Sequence, residues 1–111
     1  MTLVADAFEH FARSVMTSGL AITDETPQNA RLLRVERDGA EMRLRWDEKG
    51  EFLSLQISHG PASQRAGWLN LYSAKCLEGE LPQAADVGAG FEDSVDYGIE
   101  LMVPDALRRK R

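Results

Sequence analysis

Apolar positions recur along the first twenty residues with a helical period. Val4, Phe8, Phe11 and Val15 follow one another at steps of four, three and four, with Leu3, Ala7, Ala12 and Met16 beside them. That spacing collects side chains on one face of a helix. Thr2 is placed to cap the N-terminus, Asp6 suits the first turns, and Gly19 suits the position just past the C-terminus. Asp6, Glu9, His10 and Arg13 fall mainly on the other side. The pattern predicts an amphipathic helix whose apolar stripe must be buried.

Residues 23–30 contain Pro27 and read as a loop. Beyond them the period drops to two. Leu33 and Val35 alternate with Arg34 and Glu36; Met42, Leu44 and Trp46 alternate with Glu41, Arg43, Arg45 and Asp47; Leu53, Leu55 and Ile57 alternate with Ser54 and Gln56. Asp38-Gly39 supplies the positive φ that a two-residue hairpin turn requires, and Glu48-Lys49-Gly50 makes a second turn. These runs predict a three-stranded meander. His59-Gly60-Pro61 ends it, and residues 62–67 read as a loop or a short helical turn. The aromatic content of 68–76 favours a fourth strand, with its register open. A long connection over 78–93 leads to Val95, Tyr97, Ile99, Leu101 and Val103, which alternate with Ser94, Asp96, Gly98 and Glu100 up to Pro104. That alternation predicts a final strand.

The expected fold is therefore α+β: an N-terminal amphipathic helix packed on one face of a four- to five-stranded, mostly antiparallel sheet. Residues 1–107 are expected to form one domain, with 108–111 as a basic tail. Phe8, Phe11, Val15, Met42, Leu44, Trp46, Leu55, Ile99 and Leu101 are expected to form the main core.

At 43% hydrophobic and 28% charged residues, the composition of this 111-residue chain is that of a globular domain. Cys76 is the single cysteine, so no internal disulfide and no cysteine-based metal framework is possible, and a reducing compartment is expected. Charged residues interrupt the apolar N-terminus, and no run approaches twenty apolar residues. Neither a secretory leader nor a membrane span is expected, which makes the cytoplasm the default location.

The net charge of −5 is unevenly distributed. Residues 1–75 carry nine Arg/Lys and ten Asp/Glu, whereas residues 76–107 carry eight acids and no base before the closing Arg-Arg-Lys-Arg. Such asymmetry bears on partners rather than on fold.

The candidate chemistry is sparse. His10 reads as a surface residue on the wet side of the helix. His59 sits at a strand end before Gly-Pro, where a general base would be held rigidly, but no nucleophile elbow accompanies it. Cys76 reads as a small apolar strand residue rather than the nucleophile of a Cys-His pair. Asp86, Glu92, Asp93 and Asp96 do not match an EF-hand spacing, so no metal is expected. Gly88-Ala89-Gly90 lacks the third glycine and the strand–loop–helix setting of a dinucleotide loop, and no cofactor is expected. Arg31, Arg34, Arg37, Arg43 and Arg45 gather on the first hairpin, but interleaved acids make that a self-paired face, and nucleic acid is not expected as a partner.

A helix on an antiparallel meander resembles, in architecture alone, cystatin-like folds, small immunity proteins and secretion chaperones. The Gln-x-Val-x-Gly loop of cystatins is absent, and architecture does not license function. Two functional readings follow. The first is a small acidic, non-catalytic module that docks on a basic protein surface through Glu92, Asp93, Asp96 and Glu100. The alternative is a ligand binder or enzyme with a pocket between helix and sheet near His59, Cys76 and Tyr97.

Overall fold

In the computed structural model, residues 2–58, 67–83 and 90–103 are described. Helix α1 spans Val4–Thr17 and buries Val4, Ala7, Phe8, Phe11 and Val15, the predicted stripe. Its start lies one residue later than Thr2: Leu3 is the N-cap, and the Asp6 carboxylate accepts the Leu3 N–H at 3.2 Å. Its end is closed by Gly19, whose φ of +84° turns the chain so that the Leu20 N–H returns to the Val15 carbonyl.

Five strands follow in a meander, each paired antiparallel with the next. They are β1 (Thr23–Asp24), β2 (Ala30–Arg37), β3 (Ala40–Asp47), β4 (Phe52–Ser58) and β5 (Leu69–Lys75), in the spatial order of the sequence. β1 is a two-residue edge strand inside the stretch expected to be loop, pairing Thr23 with Arg34 and Asp24 with Leu33. Pairing of Arg37 with Ala40 leaves Asp38 and Gly39 as the hairpin turn, with φ of +50° and +84°. Gly39→Val places a β-branched residue in that left-handed conformation and should destabilise the protein by roughly 1–2 kcal/mol. Chemical denaturation checks this; an unchanged midpoint would contradict the turn.

The strands send Leu33, Val35, Met42, Leu44, Leu53, Leu55 and Ile57 to one face, all buried there. β5 joins them with Tyr72 and Ala74, after an irregularity opposite Leu55/Gln56 restores its register. The other face carries Arg34, Arg43, Arg45, Ser54, Gln56 and Ser73.

The final element departs from expectation. Phe91–Met102 is not a strand but a second helix, α2, lying beside α1 over β3, β4 and β5. It buries Phe91, Val95, Gly98, Ile99 and Met102, which follow at helical steps of four, three, one and three. Tyr97, expected on the apolar side, is half exposed at 50%. The physical reason is backbone supply as well as packing: a helix meets its own hydrogen-bonding needs while capping the sheet's remaining apolar area. Gly98 permits the approach, since a Cβ there would stand 2.6 Å from Met42 Sδ and 2.9 Å from Leu71 Cδ1. Arg37 anchors the far end by donating to the Met102 carbonyl at 3.3 Å, a cation at a helix C-terminus.

Of the expected core, Phe8, Phe11, Val15, Met42, Leu44, Leu55 and Ile99 are buried, while Trp46 and Leu101 are partly buried at its margin. The 3₁₀ turn Leu77–Gly79 and a bridge between Leu3 and Glu80 begin the connection to α2. The reading of 62–67 as loop or turn falls chiefly outside the described residues, as does the basic tail 108–111. No helix among the described residues is long and apolar enough to cross a membrane.

Candidate functional site

The predicted docking residues all lie on α2. Glu92 and Asp93 occupy its first turn, where carboxylates complement the positive helix end. Asp96 and Glu100 continue the row. They share a side, as expected, but because positions four apart stack on a helix rather than because of strand alternation. All four are exposed, with the half-exposed Tyr97 among them. Ion pairs among the described residues are confined to α1, to Arg34 with Glu25 and Glu36, and to Arg37 with Asp38. None involves the α2 acids.

Arg43 and Arg45, which would neutralise this row if they lay beside it, are elsewhere. Arg43 and Arg45 project from the sheet face opposite the helices. Arg43 donates to Gln56 at 3.0 Å and lies over the Trp68 ring at 4.0 Å from its centroid, and Gln56 in turn donates to Asn70 at 2.7 Å. The hairpin arginines are divided between faces: Arg31 covers the Phe8 ring at 4.4 Å on the helix side, and Arg37 reaches α2. The chain thus sets an acidic helix against a sheet face bearing Arg43 and Arg45.

The alternative pocket of His59, Cys76 and Tyr97 does not assemble from its described members. Cys76 is fully buried, Tyr97 points outward, and His59 lies outside the described residues. Burial pushes the Cys76 thiol up to about 11, against a weaker opposite effect from a Leu53 backbone hydrogen bond. A thiol held neutral in this way is a poor nucleophile. Burial, followed by the nearby Cys76, likewise pushes the Tyr72 phenol up to about 12.

Unfolding releases both groups to their ordinary values of 9.0 and 10.0. The stability they contribute is complete below pH 9 and is lost as pH rises through about 11 and then about 12. Melting temperature should therefore fall as pH climbs above 9, and Cys76→Ala should flatten that decline between 9 and 11. An unchanged slope in the variant would contradict the assignment.

A cleft of about 700 Å³ opens at a different place, between the first half of α1 and the start of α2. Ala7 and His10 come from α1, Tyr72 from β5, Phe91 from α2, and Leu81 and Pro82 from the connection. The Leu81 N–H donates to the Thr2 carbonyl at 2.8 Å, which holds the connection against the start of α1. Phe91 meets Tyr72 edge-on at 5.3 Å and His10 at 6.4 Å. The Tyr72 hydroxyl is buried and has no hydrogen-bond partner among the described residues. Sequence reasoning missed this site because its residues come from four separate segments; the wet-side positions of Asp6 and His10 and the acids Glu92 and Asp93 were visible in advance, but not that they border one cleft.

No group of three or more His, Cys, Asp or Glu side chains among the described residues is arranged to hold a metal ion, and Asp86 lies outside them. Comparison of the chain with protein-family models, with curated proteins and with solved structures finds no match in any of the three.

Proposed function

We propose that this chain is a small acidic, non-catalytic protein-binding module, of the inhibitor, immunity or chaperone kind, that docks the outer face of α2 on a basic surface of a partner protein. One observation carries the reading: Glu92, Asp96 and Glu100 stack at four-residue intervals beside the exposed Tyr97, with no cationic partner among the described residues. Like charges at that spacing cost a helix about 0.2–0.5 kcal/mol per pair. A basic partner surface relieves that repulsion, and the row's field speeds its approach. Tyr97 adds a rigid amphipathic side chain of the type that concentrates binding energy in interfaces.

Asp96→Lys separates stability from binding. It converts two repulsive pairs, with Glu92 and Glu100, into attractive ones and should stabilise the fold by about 1 kcal/mol. The same change should raise the Kd for the partner at least about tenfold, since it places a like charge inside the interface. The partner is first captured on immobilised wild-type protein from native extract and identified by mass spectrometry, after which the wild type and Asp96→Lys are titrated with it. A partner that binds Asp96→Lys as tightly as the wild type would remove the α2 face from the interface.

A further inference from the structure

The sheet face turned away from the helices is bare over β3–β5 among the described residues. Arg45 and Lys75 stand exposed on it, and neither has an ion pair among those residues. Arg43 meets no acid there either; it lies over the Trp68 ring and donates to Gln56. The acids of the same face are otherwise engaged. Asp47 accepts the Lys49 and Gly50 N–H groups of the following turn, Glu36 is paired with Arg34, and Glu41 is buried. Phe52 stands beside Lys75, its cross-strand partner on β5, and is 42% exposed. The one other exposed phenyl, phenol or indole ring among the described residues is Tyr97, within the acidic row of α2.

The chain therefore carries two surfaces of opposite charge, each with one exposed ring. They cannot meet within one copy, because α2 lies over the other side of β3–β5. Between copies their dimensions agree. Glu92, Asp96 and Glu100 are about 6 Å apart along α2, four residues at 1.5 Å each. Arg43 and Arg45 are about 6.6 Å apart along β3, and Lys75 lies two strands, or about 10 Å, to the side with Phe52 on the strand between.

We propose that the outer face of β3–β5 docks the α2 row of a second copy of this chain, so that copies associate head to tail. The proposal rests on the docking reading of α2 and names its basic surface. The acids of one copy meet Arg43, Arg45 and Lys75 of the next, and Tyr97 packs against Phe52. The bare face gains the helix layer that its other face already has. The net charge of −5 repels copies at range. At physiological salt that repulsion is screened beyond about 8 Å, so the opposed charges at contact decide. Single-stranded nucleic acid also seeks bases and rings, but its phosphates would find only three cations here on an acidic protein. Each copy keeps one free face of each kind, so association does not stop at two copies unless a ring closes.

The test is sedimentation equilibrium of the full chain alone, from about 10 μM to about 1 mM at low salt. The mean mass should climb from the 12.4 kDa of one copy past that of two, with a Kd of roughly 10–100 μM. It should return to that of one copy at about 0.5 M salt. Amide shifts of labelled chain mixed with unlabelled chain should move on both faces, at Asp96, Tyr97 and Glu100 and at Arg45, Phe52 and Lys75. Arg45→Glu/Lys75→Glu alters two exposed side chains, should melt close to the wild type and should stay monomeric. Glu92→Lys/Asp96→Lys should stay monomeric too, although it lowers the net negative charge and with it any general repulsion. Monomer at every concentration overturns self-association and leaves docking of α2 on a foreign basic surface to its own binding test. Association that survives Arg45→Glu/Lys75→Glu, or wild-type shifts confined to one face, overturns the proposal as well. Sheet-face shifts produced by a single-stranded oligothymidylate, without self-association, would overturn it and reassign the face to nucleic acid.

Discussion

Phe11→Ala should lower the melting temperature by roughly 15–30 °C, the largest single-residue effect expected in this protein. Phe11 is fully buried on the face of α1 that meets the sheet, in one core cluster with Phe8, Val15, Met42 and Leu44. Truncation removes the ring's burial and leaves a cavity that a helix held by Phe8 and Val15 on either side cannot close. The usual cost of such a change is about 3–5 kcal/mol, a large share of the about 5–15 kcal/mol that keeps a domain folded. Thermal unfolding by circular dichroism measures it. A melting curve that overlays the wild type would mean that α1 does not pack on the sheet.

Gly98→Val should destabilise by about 2–3 kcal/mol, as overpacking of a filled core does. In α2, Gly98 faces inward, and an added Cβ would come within 3 Å of both Met42 and Leu71 side chains. Met42 is fully buried, so its sulfur has little room to retreat. The variant also separates the two readings of the last element. On a strand, Gly98 would share the outward face of Asp96 and Glu100, and valine, a good strand former, would be tolerated or stabilising. On the helix it collides. Leu71→Ala should cost less in the Gly98→Val background than alone, because the smaller side chain makes space for the new methyl groups. Chemical denaturation of the four proteins measures both effects. A stable Gly98→Val protein would contradict the helix.

The reason α2 was misread lies in its particular residues. Val95, Tyr97, Ile99, Leu101 and Val103 satisfy a period of two, while Phe91, Val95, Ile99 and Met102 satisfy a helical period in the same stretch. Short apolar segments carry both patterns, and β-branched residues with a central glycine tilt the local preference towards a strand. The contrary local signal was present: Gly90 followed by Glu92 and Asp93 is an acidic first turn. What decides the outcome is the space over β3–β5 beside α1, which no local pattern encodes. Where alternation was backed by turn chemistry, as at Asp38-Gly39, both element and register were legible, down to Val35 opposite Met42. α1 was legible for the same reason, its stripe and Gly19 terminus agreeing.

The candidate surfaces divide along the same line. Asp96 and Glu100 share an exposed side on either reading, because a separation of four residues returns to one face on a helix and on a strand alike. The location of Arg43 and Arg45 on the opposite sheet face was not legible, since it depends on the topology between β3 and α2. The cleft was less legible still. His10, Tyr72 and Phe91 are sixty or more positions apart at its extremes, and only the pairing of Leu3 with Glu80 and the laying of α2 beside α1 bring them together.

Docking through the α2 face is tested most directly by the salt dependence of partner binding in wild-type protein and in the variant with Glu92, Asp93, Asp96 and Glu100 all replaced by lysine. Folding of the variant is checked by its far-ultraviolet spectrum and melting curve, which should remain close to the wild type. The wild type should bind more weakly between low and high salt, as screening shortens the reach of the acidic row. The lysine variant should capture none of the partner at any salt concentration. Undiminished capture by the folded variant, or wild-type affinity that does not respond to salt, would contradict the account.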